Sequence, residues 1–68
     1  MLGNEYQLLR LREVVKIVHY TKPSIYRLMA EGNFPRPIRL GGRSVFWVKS
    51  DIEAFIQDGI NERTEEAT

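Results

Sequence analysis

Thr21-Lys22-Pro23-Ser24-Ile25-Tyr26-Arg27-Leu28-Met29-Ala30-Glu31-Gly32-Asn33 reads as one short helix with both ends marked. Thr21 suits the N-cap, where a side-chain oxygen accepts from an orphan backbone amide. Pro23 sits in the first turn, where a missing N–H costs nothing. Proline also disfavours helix at the residue before it, so Ser24 capping a slightly later start is the alternative. Ile25, Leu28 and Met29 form an apolar stripe, and Gly32 or Asn33 supplies the left-handed residue that ends the helix. Upstream, Leu11, Val14, Val15 and Val18 repeat at helical spacing, predicting a helix from Leu11 to Tyr20. Glu13, three residues before Lys16, is a mild helix-stabilising pair. Two short helices, each with an inward stripe and a gap of about three residues between them, make the helix-turn-helix pattern.

Phe34-Pro35-Arg36-Pro37 cannot be helix interior and predicts an extended connector. Pro37–Leu40 and Ser44–Val48 are β-prone runs on either side of Gly41-Gly42-Arg43, a turn whose glycines permit positive φ. Along the return strand Val45 and Trp47 share one face; Ser44, Phe46 and Val48 share the other. Ser50 is a good N-cap for a third helix, with Ser50-x-x-Glu53 at capping-box spacing and Ile52, Phe55 and Ile56 as its inward stripe. Gly59 suggests that this helix ends nearby. The expected fold is mainly α with a small β-hairpin: a winged helix-turn-helix of three helices plus a two-stranded antiparallel wing. The expected organisation is a flexible N-terminus over 1–7, the winged domain over 8–60 and a disordered acidic tail over 61–68.

Sixty-eight residues make one domain, and a chain this short buries only about 60% of its unfolded surface. Without cysteine, and with His19 as its one histidine, it has neither disulfides nor an evident metal site, so compact packing or a partner must stabilise it. No apolar run is long enough for a membrane span, no signal peptide is legible, and the cytoplasm is the expected location. The formal net charge of +1 hides an asymmetry. Residues 1–57 carry nine Lys/Arg against five acids, a surplus of four positive charges. Residues 58–68 carry one Arg against four acids, a surplus of three negative charges. A basic body with an acidic tail points to a polyanionic partner.

The helix of this motif enters the major groove with its N-terminal residues against base edges. That makes Ser24, Tyr26 and Arg27 the candidates for base or mixed contacts, and Lys22 a candidate for a phosphate oxygen. Gly41 and Gly42 let the backbone approach DNA closely; Arg36, Arg39 and Arg43, with Ser44 closing the loop, supply charge and polarity around them. Each residue also has a plainer reading. Arg43 can pair with Asp51 or Glu53, Tyr26 can pack with its hydroxyl at the surface, and His19 suits a surface or capping position. Trp47 is read as core. For Phe46 three roles stay open: a dimer contact, stacking on DNA, or cover for a helix. No nucleophile with its base, paired-carboxylate site or phosphate loop is legible, which argues against an enzyme and calls for no cofactor. The competing class is a protein-interaction module whose hairpin binds a partner's edge.

The string Leu8–Val14, then Thr21–Met29, Gly32–Val45, Trp47 and Ser50-Asp51-Ile52 closely resembles the AlpA family of phage and prophage regulators, over roughly residues 8–57. The resemblance implies a winged-helix fold related to excisionases and to the DNA-binding heads of MerR-type regulators. It further implies a sequence-specific transcriptional regulator of a prophage or integrated element that binds double-stranded DNA. The alternative it implies is an excisionase, or recombination directionality factor, with an integrase as partner. Carried over residue by residue, it makes Lys22–Ala30 the recognition helix, with Lys22, Ser24 and Arg27 facing DNA, and Arg39–Ser44 the wing. Pro23 and Phe46 depart from the small or polar residues usual at their positions. A domain this small reads few base pairs, so paired or tandem copies on DNA are expected.

Overall fold

The computed structural model describes residues 7–66; the expectation of a flexible start over 1–6 and of a disordered end at 67–68 lies outside the described residues. The elements run β1 (Leu8–Leu9), α1 (Leu11–Val18), α2 (Lys22–Ala30), β2 (Ile38–Leu40), β3 (Ser44–Val48) and α3 (Lys49–Glu66). Three helices and a small antiparallel sheet give the winged helix-turn-helix architecture. The sheet holds one strand more than the expected hairpin. Its order is β1-β3-β2, with Leu8 opposite Val48, Leu9 opposite Trp47, and Ile38 opposite Phe46. A two-residue strand has no periodicity to detect, and only its long-range pairing with β3 makes it one.

Residues opposite each other share a face of the sheet. Leu9, Trp47 and Val45 therefore point one way, and Leu8, Val48, Phe46 and Ile38 the other. The first face meets the helices. Leu9, Val14, Ile25, Phe34, Trp47 and Ile52 are buried together, with Val15, Val18, Leu28 and Phe55 packed around them. Trp47 is almost fully covered, and its Nε1–H donates to the Pro35 carbonyl at 3.0 Å. A large apolar surface thus enters the core while its one polar atom is satisfied. Phe34, in the expected connector, is buried against Phe55 with ring centroids 4.8 Å apart.

The helix boundaries follow local chemistry where that chemistry is complete. α1 stops at Val18, before the expected Tyr20, because His19 takes a left-handed φ of 64° as C-cap and its N–H bonds to the Val15 carbonyl. At the other end, Glu13 accepts from the Arg10 N–H at 2.7 Å; its carboxylate is engaged there, and no ion pair with Lys16 forms among the described residues. In α2, Thr21 Oγ1 accepts from the Ser24 N–H at 3.3 Å. Past the other end, Asn33 N–H bonds to the Leu28 carbonyl and Gly32 N–H to the Met29 carbonyl, with Gly32 at φ +77°. That pair of bonds is the Schellman stop, and Gly32 is its left-handed residue.

The third helix departs from expectation at both ends. It begins at Lys49, directly after β3, so Ser50 lies inside it and is not its cap. The reason is tertiary. Lys49 N–H donates to the Gln7 carbonyl at 2.8 Å, and Lys49 Nζ donates to Gln7 Oε1 at 3.1 Å, so β1's lead-in satisfies an amide that a cap would otherwise serve. Nor does the helix end near Gly59; it continues to Glu66, and residues 61–66 of the expected disordered tail belong to it. Gln57 Nε2 donates to Asn61 Oδ1 at 3.1 Å, one helical step across that glycine.

Candidate nucleic-acid interface

The stripe that buries α2 decides what the helix presents outward. Ile25 is fully buried, and Leu28 and Met29 are half-buried. At 100° per residue the opposite side carries Pro23, Tyr26, Arg27 and Ala30, while Lys22 lies at the helix start on the Met29 edge of the stripe. All five are exposed, Tyr26 by 51%. Tyr26 is therefore a surface residue and not a packed one. Ser24 sits at the border of this face. It is half-buried, and its Oγ accepts from the Thr21 hydroxyl at 3.0 Å, so it is occupied in holding the helix start.

The wing is β2, Gly41-Gly42-Arg43 and β3. Leu40 pairs with Ser44, leaving a three-residue loop, and both glycines have positive φ, 64° at Gly41 and 85° at Gly42. A Cβ added to either would meet nothing within 4 Å. The loop therefore stands in open space, and glycine is required there by backbone conformation and not by crowding. Arg39 and Arg43 are exposed beside it. Arg43 makes no ion pair with Asp51 or Glu53 among the described residues.

An open groove joins helix and wing. Tyr26 of α2, Leu11 and Arg12 of α1, Arg10, and the wing's Arg43 and Ser44 line it, over a floor of Val45 and Trp47. Three arginines border it and no carboxylate does. Arg10 and Arg12 were not singled out from the sequence. β1 is what brings them here, because its pairing with β3 carries the start of α1 alongside the wing. Phe46 also finds its place. It lies on the outer face of the sheet, half-buried, with the Arg10 guanidinium carbon 4.6 Å from its ring centroid, which is cation–π geometry.

Arg36 goes elsewhere. It lines a second groove, bordered by Asp51, Asp58 and Glu62 over Tyr20, Phe34 and Phe55. The two grooves have no residue in common. Among the described residues no group of His, Cys, Asp or Glu could hold a metal ion, and no helix is long and apolar enough to cross a membrane.

The profile of the family described as "Prophage CP4-57 regulatory protein (AlpA)" matches residues 7–60. The chain is similar to an uncharacterized protein, ORF88, of Enterobacteria phage P4, with 35% identity over 48 residues. That alignment covers 71% of this chain and 54% of the relative, so the chain spans about half the length of the curated relative it matches. No solved structure matches it.

Proposed function

The chain belongs to the AlpA family of prophage regulatory proteins, and from that premise we propose that it binds double-stranded DNA in the cytoplasm as a sequence-specific transcriptional regulator. α2 enters the major groove, where all four base pairs can be told apart. Arg27 and Tyr26 reach base edges, Lys22 takes a phosphate, and Ser24 holds the helix start at the border of the contact. Gly41, Gly42, Arg43 and Ser44 lie along the backbone or the adjoining minor groove, with Arg39 beside them. Arg36, among the acids of the other groove, stays off the DNA. The observation that carries this reading is the exposed face of α2 standing beside a protruding diglycine loop, with a carboxylate-free arginine groove between them.

Selection of bound sequences from a random duplex pool tests the proposal. The expected result is enrichment of a short motif, repeated or paired where copies bind together; recovery of an unenriched pool overturns it. The recovered site then goes into a reporter assay and, beside it, an excision assay with the element's integrase. Altered transcription without altered excision supports the regulator, and the reverse assigns the chain to excision.

A further inference from the structure

Arg10 is the residue for which the sequence offered no role. It follows β1 and precedes α1, exposed, with its backbone N–H tied to Glu13. Two features prepare its side chain for an anion. Its guanidinium lies on the Phe46 ring and not against an acid, and the one carboxylate close to its backbone, Glu13, is engaged by the amide. A stacked guanidinium keeps all its N–H donors while losing much of its rotational freedom, so less is lost on binding. Arg12, two residues on in the first turn of α1, and Arg43, across on the wing, are exposed and border the same groove. Cations that line a groove without a balancing carboxylate focus potential onto a polyanion.

We propose that this groove and the sheet edge beside it form a phosphodiester-binding site: Arg12 and Arg43 grip the DNA strand passing between α2 and the wing, and Arg10, held at the rim on the outer face by Phe46 as its positioning residue, takes the neighbouring phosphate. The inference rests on the DNA-binding reading above and extends it to the start of α1 and the outer face of the sheet. It also gives a reason for a large aromatic at position 46. The ring acts through an arginine and need not touch a base or a second subunit.

The test is a salt titration of the full chain with a mixed-sequence DNA duplex, with folding checked by the thermal midpoint of each variant. Arg10→Ala and Arg12→Ala should each weaken binding on all sequences alike and lower the magnitude of the log affinity against log salt slope by about 0.9, the value of one lost phosphate contact. Phe46→Leu, which keeps apolar bulk but removes the ring's charge distribution, should weaken binding roughly two- to fivefold, and Phe46→Tyr should restore it. In an Arg10→Ala background Phe46→Leu should cost nothing more. An equal loss in that background overturns the positioning role, and unchanged slopes for Arg10→Ala and Arg12→Ala overturn the groove. Lys22→Ala and Arg27→Ala run in the same titration. If they weaken binding while the groove variants do not, this inference alone fails; if they too have no effect, the DNA-binding reading fails with it.

Discussion

Two grooves of this small domain are opposites in charge. One has three arginines and no acid on its border, between α1, α2 and β3. The other has three acids and one arginine, between the connector and α3. Their floors differ too. The first rests on Val45 and Trp47; the second rests on a ring cluster in which Phe55 meets Phe34 at 4.8 Å and Tyr20 at 6.5 Å. A net charge of +1 averages these two surfaces into something near neutral. A polyanion would be attracted to the arginine groove and repelled by the acidic one, so the proposed DNA contact favours one orientation.

Trp47 stands between the grooves. It lines the arginine groove, and its indole N–H is bonded to Pro35, which lines the acidic one. Trp47→Ala should therefore have the largest effect and remove both surfaces together. Loss of a buried aromatic costs about 3–5 kcal/mol, against a total of about 5–15 kcal/mol for ordinary domains and less for small ones. Chemical denaturation should show no cooperative transition left; a normal unfolding curve would mean that the grooves are held apart by something other than this indole.

The next effect is confined to the arginine side. Arg27→Ala should cost about 1–3 kcal/mol on the selected DNA site and relax the preference at one base pair, read by competition binding against single-base variants. A uniform loss over all variants would move Arg27 from the bases to the phosphate backbone.

Gly41→Ala probes the loop beside that groove. With φ at 64° and open space around it, the substitution should lower stability by about 1 kcal/mol through backbone conformation alone, seen as an earlier denaturation midpoint. No change would show that the loop relaxes out of the left-handed conformation freely.

The smallest expected effect sets one arginine against another. Arg43→Ala should reduce the salt slope of binding by about 0.9. Arg36→Ala should leave it unchanged, because Arg36 borders the acidic groove. Equal slopes for the two variants would erase the distinction between the surfaces.

What could be read from the sequence was whatever neighbouring residues decide. Thr21, Pro23 and Gly32 mark α2 by bonds that stay within a few residues, and its observed bounds, Lys22–Ala30, are the expected ones. Simple alternation divided β3 into two faces, and the need for apolar bulk in so small a domain put Trp47 in the core. What stayed hidden depends on contacts between distant parts of the chain. β1 exists because of β3. α3 starts at Lys49 because Gln7 accepts its amide, although Ser50 has better local credentials as a cap. Arg10 reaches Phe46 only because β1 lies beside β3, so the groove behind them could not be assembled from spacing. Arg36 looked like part of the wing because it is near it in sequence, yet the connector's buried Phe34 and bonded Pro35 place it beside α3's acids.

On this reading double-stranded DNA meets the α2, wing and arginine-groove side and leaves the acidic side free. Backbone amide chemical shifts followed by NMR during titration with a DNA duplex test it most directly. The shifts should concentrate in residues 10–12, 22–27 and 41–44, while Asp51, Asp58 and Glu62 stay where they were. Shifts centred on residues 51–62, or a spectrum that duplex DNA leaves untouched, would contradict it.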